Sequence, residues 1–281
     1  MEDHSLREFV ERYSRIFVLT GAGCSTASGI PDYRDAAGQW KRAQPVQFRA
    51  FMDEPLTRKR YWARSLVGWR RFGRAAPNEA HVALAALERR HRRVELLVTQ
   101  NVDGLHQAAG SHAVIDLHGR LDTVRCMDCE ARSRREELQN ELLRRNPQWS
   151  QLDARDAPDG DAELQGLDFA GFDVPDCTRC GGLLKPDVVF YGESVPRERV
   201  DAAMQCLRDA DAMLIVGSSL MVYSGYRFAR EAAAAGKPIA AVNLGHTRAD
   251  ELLSLKIALP CSVALAFLLD EDARVGGARV A

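Results

Sequence analysis

Lysine is nearly missing from this chain: five residues (Lys41, Lys59, Lys185, Lys237, Lys256) stand beside 33 arginines. Net charge is missing as well, since 38 basic and 39 acidic residues leave −1. That balance removes the broad positive footprint of a nucleic-acid or anionic-membrane binder. The arginine excess, in an alanine-rich chain, reads as coding bias and carries no functional weight. No apolar run reaches the roughly 18 residues of a membrane-crossing helix. The first residues, Met1-Glu2-Asp3-His4-Ser5, lack the basic-then-apolar order of a secretory leader. No internal repeat is found. What the 281 residues do supply is a 46% hydrophobic content, enough for a real core at a length where one domain begins to divide.

The cysteines do not suit a secreted disulfide framework, because seven is an odd count in a long chain. Together with the absent leader, this predicts a reducing, cytoplasmic compartment. Four of the seven form two equally spaced pairs, Cys126-Met127-Asp128-Cys129 and Cys177-Thr178-Arg179-Cys180. Two thiolates with two residues between them reach one ion from a single turn, and two such turns close a tetrahedral four-sulfur shell of the structural zinc type. A closed shell has no open position for catalysis. A redox dithiol is disfavoured because neither pair opens a helix after a strand. Cys24, Cys206 and Cys261 stand alone, and core packing is expected of the first two.

A helix-like stretch, Leu6–Tyr13, leads into the apolar run Arg15–Thr20. Similar runs recur at Val94–Thr99, Val114–Leu117, Val188–Tyr191, Ala212–Val216 and Ile239–Leu244. Helical spacing follows several of them: Asn78–Arg90 with Ala80, Leu84 and Leu87 on one face, Arg197–Arg208, and Tyr226–Ala235 before the stop Gly236-Lys237-Pro238. Strands alternating with helices predict an α/β fold, an open doubly wound parallel sheet of Rossmann type. Two stretches break the alternation. Residues 36–77 are rich in arginine and aromatics, with helical spacing through Tyr61, Trp62, Leu66 and Trp69; residues 121–184 hold both cysteine pairs. The predicted organisation is a nucleotide-binding domain from residues 1–35, 78–120 and 185–281, with 36–77 and 121–184 inserted as a smaller domain of helical segment and zinc module. Asp153–Gly160 has the turn chemistry of an exposed loop, and Gly276–Ala281 reads as a frayed end.

The chemistry-bearing residues sit where those runs end. Gly21-Ala22-Gly23 follows the first, where backbone amides at a helix start hold a pyrophosphate. The third glycine of the dinucleotide fingerprint would fall at Thr26, and no clear ribose-binding acid stands at the expected strand end, so a hydride-transferring dehydrogenase is disfavoured. Gly29-Ile30-Pro31-Asp32-Tyr33-Arg34 then places a rigid turn, an acid, an aromatic and a base together. Later runs end on Gln100-Asn101-Val102-Asp103, Leu117-His118-Gly119, Gly217-Ser218-Ser219 and Asn243-Leu244-Gly245. Open α/β sheets bind ligands at this carboxyl edge. A lone histidine is most often structural; His118 gains weight as a base because the other strand ends share its edge.

In order and over nearly the whole chain, these segments, the cysteine pairs and Lys185-Pro186-Asp187-Val188-Val189-Phe190-Tyr191-Gly192-Glu193 resemble the sirtuins. Arg60-Tyr61-Trp62-Ala63-Arg64 and Val222-Tyr223-Ser224-Gly225-Tyr226-Arg227, with Cys261, are similar to the branch containing the mitochondrial ADP-ribosyltransferase and lipoamidase. Tyr33 and Tyr191 stand where many members have phenylalanine, and both keep the ring. The resemblance implies an enzyme that consumes NAD, holds zinc on Cys126, Cys129, Cys177 and Cys180, and takes acylated-lysine proteins as partners, releasing nicotinamide, O-acyl-ADP-ribose and free lysine. It implies Gly21, Ala22 and Gly23 at the pyrophosphate, and Asp32, Tyr33 and Arg34 on the loop over the nicotinamide ribose, with Thr26 and Trp40 among the NAD contacts. Val102 and Asp103 would hold the carboxamide, and Gln100 and Asn101 the ribose and its water, Asn101 with a catalytic share. Gly217, Ser218 and Ser219 would serve the phosphate side, and Asn243, Leu244, Gly245 and Cys261 the adenosine end. His118 is implied as the general base, taking a proton from a ribose hydroxyl after the acyl oxygen has displaced nicotinamide. Val189 and Tyr191 would lie on the strand that pairs with the extended substrate.

Tyr61 and Arg64 match the pair by which desuccinylating sirtuins hold an acyl carboxylate. In a chain with 33 arginines, beside Arg58-Lys59-Arg60, they also read as a solvated helix face. Two rival readings remain: a protein ADP-ribosyltransferase using the same NAD site, and a zinc-ribbon binding module without catalysis.

Overall fold

The computed structural model describes residues 2–35, 37–41, 45–152, 156–157, 161–162, 164 and 166–270. In chain order its elements are α1 (Glu2–Arg12), β1 (Ile16–Thr20), α2 (Phe48–Asp53), α3 (Pro55–Phe72), α4 (Glu79–Arg89), β2 (Val94–Thr99), α5 (Leu105–Ala108), β3 (Val114–Asp116), β4 (Gly119–Cys126), β5 (Arg132–Arg134) and α6 (Arg135–Arg145). They continue with β6 (Asp156–Ala157), β7 (Asp161–Ala162), β8 (Leu184–Val188), α7 (Arg197–Asp209), β9 (Ala212–Val216), α8 (Tyr223–Ala234), β10 (Ile239–Val242), β11 (Leu255–Ile257) and α9 (Cys261–Leu265).

All five residues of β1 are buried, which explains why it reads as an unbroken apolar run. Side chains alternate across the strand. Ile16 and Val18 pack with Leu6, Leu84, Leu87 and Leu265 from α1, α4 and α9, while Phe17 and Leu19 pack with Leu207, Phe228 and Ala232 from α7 and α8. The sheet is therefore covered on both faces. α4 starts on a reciprocal cap: the Ala80 N–H donates to the Asn78 side chain at 2.9 Å, and the Asn78 N–H to His81 Nδ1 at 3.3 Å.

The six strands are parallel in the order β11-β10-β9-β1-β2-β3. From β1 the chain builds outward to β3, then returns to place β9 on the other side of β1 and builds outward again. The reversal lies between β1 and β9, and a crevice opens at the carboxyl ends of strands at such a point. The predicted doubly wound sheet is the one found.

A second core gathers Phe51, Trp62, Leu66, Val124, Leu142 and Phe172 around α3, α6 and an antiparallel sheet ordered β5-β4-β8. Here the structure corrects one strand. Val188–Tyr191 was expected among the parallel strands; the chain instead forms Leu184–Val188, antiparallel to β4, with Cys126 opposite Leu184 and Gly119 opposite Val188. The expected domain boundaries at 120 and 185 fall inside β4 and β8. A two-residue pairing, β6 with β7, lies within the expected Asp153–Gly160 loop and just beyond it; the rest of that loop and Gly276–Ala281 lie outside the described residues. Among the described residues no helix is long and apolar enough to cross a membrane.

Candidate active site

At the reversal point β1 and β9 approach so closely that only glycine fits. The Gly21 N–H donates to Val216 O at 3.1 Å and the Gly23 N–H to Gly217 O at 2.8 Å. A methyl on Gly21 would come within 2.8 Å of Ser218 Cβ, and one on Gly217, whose φ is +63°, within 2.3 Å of Cys24 N. Two short 3₁₀ turns, Ala22–Cys24 and Thr26–Ser28, follow in place of the expected α-helix start. Above them opens a cleft of about 1500 Å³.

Of the residues expected at an NAD site, Gly21, Ala22, Gly23, Thr26, Asp32, Tyr33, Arg34, Trp40, Gln100, Asn101, Val102, Gly217, Ser218, Ser219, Asn243, Leu244, Gly245 and Cys261 line this cleft. So do His118, Val189, Tyr191, Tyr61 and Arg64. Asp103 is not on its wall. The carboxylate accepts from Ser25 Oγ at 2.7 Å and from the Leu105 N–H at 2.9 Å, so its hold on any ligand passes through those partners. Asn101 is fixed by donating to Gly21 O and Ser25 Oγ, both at 3.0 Å. Ser25, 1% exposed, thus joins Asn101 to Asp103, a role that sequence reasoning missed. Its only signal was a polar residue two positions beyond Gly23.

The loop beyond Gly29 folds on itself. Arg34 lies 3.9 Å above the Trp40 ring and donates to Gly38 O at 2.7 Å, and Lys41 pairs with Asp32. Trp40 meets Tyr191 edge-on at 5.7 Å, which links this loop to the segment after β8. At the far end, Asn243 Nδ2 donates to Gly245 O at 3.0 Å, Leu244 is 66% exposed, and burial pushes the Cys261 thiol up to about 11. Cys24 is buried too, its thiol raised well above the usual range by desolvation, so it serves packing.

His118 follows β3 and precedes β4. Its Nδ1 lies 3.0 Å from Gln100 O, which can only accept, so Nδ1 carries the proton and Nε2 the lone pair. Burial lowers its pKa to about 4, outweighing the Gln100 bond, with Arg199 and Arg227 acting in the same direction as burial. The ring is neutral at pH 7. Burial also lowers His81 and His106. An unfolded chain protonates all three near pH 6.5, so it binds more protons than the native state between about pH 6.5 and 4, and stability must fall as pH drops through that window. The urea midpoint is therefore lower at pH 5 than at pH 7; equal midpoints would contradict the buried neutral histidines.

The four expected metal ligands converge. Sγ of Cys126, Cys129, Cys177 and Cys180 lie within 4.8 Å of one another, with Cys126–Cys180 at 3.5 Å and Cys129–Cys177 at 3.8 Å. These spacings far exceed a disulfide's ~2.05 Å. They match the ~3.8 Å sulfur–sulfur edge of a tetrahedron with ~2.3 Å zinc–sulfur bonds. The donor set fits structural zinc.

Tyr61 packs edge-on against Phe51 at 5.4 Å and Trp62 at 5.2 Å, and Arg64 Nε donates to Ala162 O at 2.9 Å. Val189 N–H donates to His118 O at 2.8 Å, and Phe48 N–H to Tyr191 O at 2.8 Å. The buried Lys185 pairs with Glu193 at 3.0 Å, and Glu193 also accepts from the Phe190 N–H at 2.9 Å, bracing both ends of this segment.

A doubly wound sheet whose glycine-crossed reversal point opens into a large cleft of mixed polar and apolar lining, joined to a four-cysteine module that fits structural zinc, defines a nucleotide-binding α/β protein. Comparison with known proteins narrows this. The model of the Sir2 family matches residues 21–224, and the chain belongs to that family. A Xanthomonas campestris pv. campestris protein named NAD-dependent protein deacetylase is 67% identical over 264 residues, 94% of this chain and 90% of its own length. Bradyrhizobium diazoefficiens has a protein named NAD-dependent protein deacetylase 2 that is 64% identical over 269 residues, 96% of this chain and 98% of its own. A solved structure described as Sir2-p53 peptide-NAD+ has a TM-score of 0.74 at 29% identity, covering 96% of this chain and 98% of that one.

Proposed function

We propose that this protein is an NAD-dependent protein lysine deacetylase, taking NAD as a consumed co-substrate and an acetyl-lysine segment as the other reactant. One observation carries the reading: His118, neutral and with its Nε2 lone pair fixed by the Gln100 contact at Nδ1, lines the same cleft as the paired glycine turns of β1 and β9. The glycine turns offer close backbone approach to a pyrophosphate, while Asn101, held by Gly21 O and Ser25, orients a sugar hydroxyl or water. His118 then accepts the proton of a sugar hydroxyl at Nε2. Val189–Tyr191, braced by Lys185 and Glu193, lies along the cleft as a rail for an extended peptide. Free nicotinamide should appear only when NAD and an acetyl-lysine peptide are both present. Label from NAD retained on protein without deacetylation would support an ADP-ribosyltransferase instead.

The acyl range extends, on this reading, to carboxylated groups, because Tyr61 and Arg64 share the cleft wall. Arg64→Met should lower kcat/KM for a succinyl-lysine peptide about tenfold relative to an acetyl one, the size of one charge-assisted bond. An unchanged ratio across acetyl, succinyl, glutaryl and lipoyl peptides removes the carboxylate role.

A further inference from the structure

The histidine ring is held at both nitrogens, and neither holder was expected from sequence. Ser224 Oγ lies 2.8 Å from His118 Nε2. With the proton fixed on Nδ1 by Gln100 O, Nε2 can only accept, so the serine hydroxyl is the donor. The two holders are themselves fixed. Gln100 is anchored through its N–H to Thr20 O at 3.0 Å and through Oε1, which accepts from Ser218 Oγ at 2.6 Å. Ser224 stands in the first turn of α8, and that turn lies directly on Gln100: a methyl on Gly225 would come within 2.5 Å of Gln100 Nε2. The residues that hold the two ring nitrogens therefore pack against each other, across 124 positions of sequence, through a glycine. Ser224 also lines the cleft, so its hydroxyl occupies the direction from which a reacting hydroxyl must come.

We propose that Ser224 is a positioning residue for proton transfer: its hydroxyl donates to Nε2 of His118 and holds that nitrogen turned toward the cleft until a substrate hydroxyl takes its place. The exchange breaks no covalent bond. The serine hydroxyl rotates away, the substrate hydroxyl donates to the same lone pair, and the ring keeps two hydrogen bonds throughout. Its orientation is set before substrate arrives.

The kinetic part of the test rests on the deacetylase reading, and the spectroscopic part does not. In ligand-free protein with ¹⁵N-labelled histidine, the Nε2 resonance of His118 should move toward that of an unbonded ring nitrogen in Ser224→Ala and stay near its native position in Ser224→Thr. With NAD and an acetyl-lysine peptide, Ser224→Ala should lower kcat about tenfold, the scale of one net hydrogen bond, with both KM values within about twofold. The ratio of deacetylation to nicotinamide exchange should fall by the same factor, because exchange needs no base, and Ser224→Thr should restore it. An unmoved Nε2 resonance overturns the proposal. So does an unchanged ratio, including the case in which both activities fall together through damage to α8. If the native protein neither deacetylates nor exchanges nicotinamide, the deacetylase reading fails, and the nitrogen resonance alone decides Ser224.

Discussion

His118→Ala should lower deacetylation of an acetyl-lysine peptide by about 10²- to 10⁴-fold, the range of a positioned general base, with little change in either KM. Nicotinamide exchange should survive, because breaking the bond to nicotinamide asks nothing of the base. The split follows from the local structure. The ring sits between β3 and β4, tied by Nδ1 to Gln100 O; cutting it back to a methyl removes the acceptor and leaves the glycine turns of β1 and β9 untouched. The imidazole itself is neutral, lowered to about 4 mainly by burial, so it is ready to accept a proton across the neutral range. Steady-state deacetylation and exchange measured on one preparation check this. A loss below tenfold would place the base elsewhere.

Cys126→Ala, or removal of zinc by a chelator, should abolish deacetylation and lower the apparent melting temperature by about 10 °C or more. The metal site is remote from the chemistry, yet it closes one end of the ladder that positions it. β4 starts directly after His118 and ends at Cys126, while β8 starts shortly after Cys180 and ends just before Val189. Between the paired ends β8 runs four steps and β4 seven, the excess absorbed by an irregularity between Gly119 and Val124, so the two ends lie roughly 14 Å apart at 3.4 Å per residue of β8. Zinc bound by the four cysteines would fix the far end, where Cys126 faces Leu184; at the near end Val189 N–H bonds to His118 O at 2.8 Å. Without the ion, four uncompensated cysteines occupy turns with little other core, and the register of β4 on β8 loosens. Native protein should carry one zinc per chain by elemental analysis. A metal-free chain with native activity and melting temperature would show that the cysteines do not hold the ladder.

Much of this architecture was legible because burial and period agree. β1 and β9 are buried on both faces and read as plain apolar runs; α4 showed its face through Ala80, Leu84 and Leu87. The cysteine spacing carried its own geometry. Other features were hidden for physical reasons. α6 buries Arg135 and Gln139 beside Leu138 and Leu142, because the Arg135 guanidinium lies over Trp62 and Trp69 and Gln139 donates to Leu66 O at 2.9 Å, so its inward face looks polar in sequence. β8 contains Lys185, Pro186 and Asp187, which hide a strand; the lysine is neutralised by Glu193, and the proline is tolerated where β8 pairs on one side only. β11 is three residues long with an exposed lysine at its centre. In the site, the strand ends announced the cleft, but Ser25 and Ser224 did not announce themselves. Hydroxyls matter there through partners 76 and 106 residues away, and no spacing encodes that. Asp103 is the converse: its motif is legible, and only the fold shows its carboxylate committed to Ser25 and Leu105.

The most direct test is mass analysis of everything formed when the protein meets NAD and an acetyl-lysine peptide. The account predicts equal amounts of nicotinamide, O-acetyl-ADP-ribose and free-lysine peptide, all lost together when either reactant is omitted. Deacetylated peptide paired with free acetate and unconsumed NAD would contradict it.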